Sequence, residues 1–206
     1  MKKVGYLFVV LGFLLFNLSL TVVAQEPAAD EVVPAAASEK VSREDLAAQT
    51  EEACTATSNV KPTSEMIIQK VDEACKLLEA EGVKAFPKFM GRNSGFVFAG
   101  TYIWIHELGG EGTMKMHPIK FKLEGKPLLI FKDNKGKRFF AEMNRVVESN
   151  GAGWVDYYWP IPGSKEVGHK VSYVKLAVTP EKEKLVVGCG IYGLSEAEIE
   201  KLVAGN

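Results

Sequence analysis

Three segments of the chain hold most of its aromatic and functional polar side chains: TYIWIH at 101–106, GWVDYYWPIPG at 153–163 and HKVSYVK at 169–175. On a β-strand alternate side chains share a face, so Tyr102, Trp104 and His106 project together, as do Tyr157 and Trp159. Two such strands with matched faces in one sheet make an aromatic-walled hollow. Tyr hydroxyls and Trp indole N–H groups at its edge are hydrogen-bond donors, which suits an anion of a few heavy atoms. The competing assignment is ordinary packing, because Trp and Tyr on strands are more often core than binding wall, and Lys170 and Lys175 are ordinarily solvated charges.

Other chemistries lack their residues. His106, His117 and His169 stand apart with no H-x-H or H-E-x-x-H spacing, and Cys54, Cys75 and Cys189 form no CxxC pair, so neither a metal nor a cofactor is expected. There is no G-x-S-x-G elbow and no Cys set beside a His in a recognisable motif, so the chain is not expected to be an enzyme. Gly109-Gly110-Glu111-Gly112 lacks the lysine of a phosphate-binding loop and reads as a hairpin turn. The formal charge of −1 offers no electrostatic footprint for nucleic acid.

The elements that must position these residues begin after a leader. Lys2 and Lys3, an apolar run over 4–20 and Val22-Val23-Ala24 read as a signal peptide cut after Ala24, with an uncleaved anchor as the alternative. This predicts a secreted, periplasmic or extracellular protein that touches the membrane only through an uncleaved leader. Residues 25–41, rich in Ala, Pro and acid, read as a disordered spacer. Residues 42–206 are expected to form one domain. Ser42 and Asp45 resemble a capping box, Pro62 interrupts, and Thr63 or Ser64 can cap a second helix whose Ile67, Ile68, Val71, Ala74, Cys75 and Leu78 share one face, with Gly82 ending it. A single helix over 54–75 would hold those two cysteines about 30 Å apart, whereas a break at Pro62 permits a disulfide; the pairing stays open.

Residues 95–108 read as one long strand, Gly109-Gly110 as the turn, 113–117 as its partner, and 128–132 as a short strand. Phe139, Phe140, Met143, Val146 and Val147 give a helical face closed by Asn150-Gly151, and strands follow at 153–159, 168–178 and 184–192. Helices first and hairpin-connected strands later predict an α+β fold, an antiparallel sheet with helices on one side.

The order of short motifs, YIW, MHP, LEGK, D-x-x-G-K, GWVDYYWPIPG, K-x-SYVK and GCGIY, resembles the single Cache domain of extracytoplasmic sensors over about residues 64–202. The resemblance implies a long N-terminal helix packed on a PAS-like antiparallel sheet. It also implies a concave face for a small ligand, commonly a short carboxylate such as acetate, propionate, pyruvate or lactate. Residue by residue it points to Tyr102, Trp104, His117, Tyr157, Trp159, Lys170 and Tyr173 as ligand-binding. Lys170 would supply charge, and the Tyr or His groups directed hydrogen bonds. Lys170 and Tyr173 have opposite strand parity, so both face one pocket only across a bulge or if Lys170 precedes the regular strand. The family usually carries Asn-Asp after YxW where this chain has His106-Glu107. It also usually continues into a second spanning helix and a signalling module, whereas this chain reads as free-standing and would pass its ligand or signal to a membrane sensor or transporter. The alternative is an envelope interaction module with a vestigial pocket.

Overall fold

The computed structural model describes residues 41–206; the expected signal peptide and nearly all of the spacer lie outside the described residues. Two helices come first, α1 (Arg43–Ala56) and α2 (Ser64–Glu81). Ser42 and Thr63 cap them by accepting from the backbone N–H three residues on, which satisfies donors that the first helical turn leaves free. Pro62 separates the helices as its missing N–H requires. Cys54, Cys75 and Cys189 are buried free thiols.

The expected strand over 95–108 is broken into β1 (Val97–Phe98), β2 (Thr101–Tyr102) and β3 (Trp104–Glu107). The break is a tight turn at Ala99-Gly100, with φ of 45° and 72°. Thr57 and Ser58, just beyond α1, pack against it: a Cβ at Gly100 would lie 3.1 Å from the Ser58 Cα, and the Gly100 N–H donates to the Thr57 hydroxyl. β-Branched and aromatic content is the same on either side of such a turn, so composition alone does not reveal it. β4 (Met114–Met116) pairs with β3 through a register shift.

No strand forms at 128–132. Leu128 is buried there, and the N–H groups of Leu128 and Leu129 both reach the Glu111 carbonyl instead of a ladder. α3 (Phe139–Asn150) follows, closed at Gly151, and then β5 (Ala152–Pro160), β6 (Val167–Val178) and β7 (Lys184–Tyr192). The last helix, α4 (Glu196–Ala204), carries a capping box between Ser195 and Glu198. Its S-x-x-E signature is legible in the sequence but was not among the expected elements.

The sheet is antiparallel throughout, in the order β4-β3-β7-β6-β5. It has an apolar core on each face, which corrects the expectation of helices on one side only. On one face α2 and α4 pack over Ile105, Trp154, Val171, Val187 and Ile191. On the other, α3 supplies Phe139, Phe140 and Met143 against Trp104, Val155, Tyr157, Val174 and Val186. Both faces of the central strands are buried, which explains why β7 reads as an almost unbroken apolar run rather than an alternating one.

Candidate functional site

Strand alternation in the five-stranded sheet aims Trp104, Tyr157, Trp159 and Lys170 at the α3 face, while Tyr102 comes from β2 and His117 from the turn after β4. The chain places Tyr102, Trp104, His117, Tyr157, Trp159 and Lys170 around a single enclosed cavity, joined by Phe140 of α3. Six of the expected residues therefore meet. Tyr173 does not, which corrects its expected placement. β6 pairs without a bulge from Val167 to Val178, with Lys170 opposite Tyr157 and Tyr173 opposite Trp154. With a period of two, Tyr173 falls on the opposite face of the sheet, its ring 5.3 Å from that of Trp154.

Lys170 is the centre of the site. Its side chain is wholly buried, and among the described residues its Nζ has no hydrogen-bond partner and no carboxylate. Three rings surround the ammonium instead: Tyr102 at 4.5 Å, Tyr192 at 4.9 Å and Trp104 at 5.0 Å from Nζ to centroid. Cation–π attraction of this desolvated kind is worth about 2 kcal/mol. It does not replace the hydration of a cation, and burial pulls the Lys170 pKa down to about 8. The indole Nε1 of Trp104 is likewise buried without an acceptor. Two unsatisfied buried donors on residues of one cavity are unusual, because buried polar groups are otherwise nearly always paired.

The remaining polar groups are held in donor form. The backbone N–H groups of Ile119 and Lys120 both donate to the His117 Nδ1. Burial first, and then the Lys170 charge, hold the His117 pKa well below its ordinary value, so its ring is neutral with the proton on Nε2. The turn that carries His117 is braced by Arg43, which donates to the His117 carbonyl at 2.7 Å and to Glu124 at 2.6 Å, while Glu124 accepts the His117 N–H. Burial raises the pKa values of Tyr102, Tyr157 and Tyr192, so all three stay phenols. Trp159 Nε1 donates to the Tyr102 hydroxyl at 3.1 Å, and the Tyr157 hydroxyl pairs with the Ser172 hydroxyl at 3.1 Å.

His106, whose neighbours in the YIWIH run line the cavity, lies outside its lining. It bonds Asn144 through Nε2 and packs edge-on against Phe140. Burial lowers its pKa to about 4. Because His106 and His117 are neutral in the fold and take up a proton in the unfolded chain near pH 6.5, stability is full above that pH and falls as pH drops toward 4. His106 alone accounts for about 3 kcal/mol of that loss. Denaturant midpoints between pH 7 and 4.5 should fall accordingly; a flat profile would be inconsistent with two neutral buried imidazoles.

Phe140, Tyr192 and Ser172 were not recognised from the sequence. Tyr192 ends the GCGIY run and sits directly across from Lys170 in the ladder, a relation that requires knowing the β6–β7 register. Two glycines of the same run lie beneath side chains of the site, Gly188 under the Trp104 ring and Gly190 under the Ser172 hydroxyl and the Lys170 chain. Gly188 pairs with Trp104, and the indole lies so close over it that an added Cβ would come within 2.6 Å of the Trp104 Cε2. Gly188→Ala should therefore lift Trp104 from the sheet and cost about 1–3 kcal/mol of stability, as overpacked cores do. An unchanged midpoint in a denaturant titration would contradict the packing described.

The sequence profile of the Cache domain family matches residues 33–200. The chain belongs to the Cache domain family. Over 91 residues, 44% of the chain, it is 36% identical to the methyl-accepting chemotaxis protein McpP of Pseudomonas putida; the matched stretch is 16% of that receptor, so the chain spans only a small part of it. Three solved structures are also similar. A periplasmic sensor domain of a chemotaxis protein is 31% identical, with a TM-score of 0.44, over 71% of this chain and 87% of that one. A Cache chemosensory domain reported for carboxylic acid recognition is 29% identical, with a TM-score of 0.47, over 71% and 92%. A methyl-accepting chemotaxis protein of Vibrio parahaemolyticus is 20% identical, with a TM-score of 0.50, over 72% and 96%, a likeness of fold. The α+β Cache architecture expected from the motif order is thus the architecture found. No helix among the described residues is long and apolar enough to cross a membrane.

Proposed function

We propose that this Cache domain is an extracytoplasmic sensor module that binds a short organic carboxylate through Lys170 and passes the signal or the ligand to a membrane partner. The observation that carries the reading is the buried ammonium with no counter-charge among the described residues. A carboxylate supplies the missing charge and accepts from Trp104 Nε1 and His117 Nε2, and the surrounding rings pack its short apolar tail. The kinship with chemotaxis receptors supports a sensory role, and the basic start and apolar run of residues 2–20 support export.

The cavity measures about 10 Å³, room for about one water. An acid of four or more heavy atoms therefore enters only if a wall moves, so binding is coupled to a conformational change, as a sensor requires. The same small volume favours one other reading, an envelope interaction module whose pocket is vestigial. Calorimetry at pH 7 against acetate, propionate, pyruvate and lactate separates the two. Heat of binding from one or more acids is expected; none from any, with folded protein and a stably co-purifying protein partner, would favour the interaction module. Tyr173→Phe serves as an internal control, because its ring lies on the far face. Its affinity should stay within about twofold of the parent, and a larger loss would place the ligand elsewhere.

A further inference from the structure

We infer that Trp159 is the gate of the cavity and that the groove outside it, flanked by Lys120 and Lys122, is the vestibule through which an anion arrives. Of the seven residues lining the cavity, Trp159 alone is not buried: Tyr102, Trp104, His117, Phe140, Tyr157 and Lys170 are each no more than 3% exposed. Trp159 also lines a second space, a surface groove of about 380 Å³ bounded by Ile119 to Leu123 and Pro160. One indole thus separates the outside from the ammonium.

The gate is latched by the rings that surround the charge. Tyr102 and Tyr192 both face the Lys170 Nζ. The Tyr102 hydroxyl accepts from Trp159 Nε1, and the Tyr192 hydroxyl donates to the Pro160 carbonyl at 2.9 Å. Both latches attach to the last two residues of β5, where the ladder with β6 ends. A guest that displaces either ring from the ammonium loosens the latch, and departure of the guest lets it re-form. Lys120 and Lys122 are exposed side chains on the groove wall; the Lys122 ammonium rests 6.0 Å over the Phe121 ring, and neither lysine has a carboxylate partner among the described residues, so both can attract an anion.

This inference takes from the proposed function only that the guest is a small anion, and its test does not depend on which one. The probe is cyanate, a small linear anion that takes the proton of the ammonium it meets and, as isocyanic acid, carbamylates the neutral amine left behind, with the labelled lysines read by peptide mass spectrometry in the intact chain. In the parent protein Lys170 should label far more slowly than the exposed Lys120 and Lys122. Trp159→Ala should raise the Lys170 rate at least tenfold, and Tyr192→Phe, which removes one latch and keeps every ring, several-fold, with labelling of exposed lysines such as Lys126 unchanged. The double variant Lys120→Glu, Lys122→Glu should slow Lys170 labelling and flatten its dependence on ionic strength. If Trp159→Ala and Tyr192→Phe, both verified as folded by circular dichroism, leave the Lys170 rate at the parent value, anions reach the site by another path and the gate is refuted. If the gate variants behave as stated but no carboxylate binds the parent, the carboxylate reading fails while the gate stands.

Discussion

Lys170→Met should abolish carboxylate binding and at the same time make the ligand-free domain more stable. Loss of binding follows from removing one member of a desolvated charge pair, which costs on the order of 2–5 kcal/mol, or roughly 30-fold to several thousand-fold in affinity. The gain in stability follows from the same burial. The Lys170 pKa falls from its ordinary 10.5 to about 8 in the fold, so a cost of about 3 kcal/mol attaches to keeping it charged. The unfolded chain holds this proton more tightly than the fold does. The penalty is therefore fully present below pH 8 and disappears as pH rises toward 10.5. Met has similar length and no charge, so the variant should melt higher than the parent at pH 7, with the difference narrowing toward pH 10. Calorimetry and thermal melts on the two proteins test both halves. A variant that binds as the parent does would remove Lys170 from the site, and one less stable than the parent at pH 7 would mean that the surrounding rings more than offset the desolvation of the ammonium.

Affinity for a carboxylate should fall about tenfold per pH unit above pH 8, reaching a loss on the order of 100-fold by pH 10. Only the charged amine pairs with the anion, and the free protein releases that proton near pH 8; binding must then take a proton up, and each further unit of pH makes uptake ten times harder. Below pH 8 the affinity should be level until the acid itself is protonated. His117 adds no slope there, because its pKa lies well below 6.5 and its ring is already neutral. Titrations at pH 7, 8, 9 and 10 in two buffers of different ionisation enthalpy would show both the slope and the uptake of one proton. A flat profile to pH 10 would mean that the amine does not carry the interaction.

These two expectations share a cause. The domain keeps an ionisable group where it costs stability, and such groups concentrate where a ligand needs them. The hydrophobic isostere is available at position 170 by a single substitution, and both cores on the sheet are otherwise apolar apart from a few hydrogen-bonded polar side chains.

Much of the lining of the candidate site was legible before any tertiary structure. Tyr102 and Trp104 share the cavity although β2 and β3 belong to different sheets. The pair Tyr157 with Trp159 follows from strand alternation alone, and the caps at Ser42 and Thr63 and the breaks at Pro62, Gly82 and Gly151 set the helices where they are found. Those features are local, and the backbone geometry that produces them spans only a few residues. The motif order added His117 and Lys170, which no periodicity singles out.

What only the tertiary structure decided lies between elements. Strand order puts β7 and β6 between β3 and β5, so Trp104 and Tyr157 face one cavity across two strands, where Gly188 makes room for the Trp104 indole and Gly190 for the Ser172 hydroxyl and the Lys170 chain. The in-register β5–β6 ladder sends Tyr173 to the far face, and the turn at Ala99-Gly100 packs against Thr57 and Ser58 just beyond α1. Burial of Lys170 without a partner among the described residues, and the placing of Trp159 as the one partly exposed residue of the cavity lining, are likewise properties of the assembled core. A residue's own sequence neighbourhood sets which way its side chain leaves the backbone; what waits there is set by chain segments many residues distant, whose pairing energies no local pattern records.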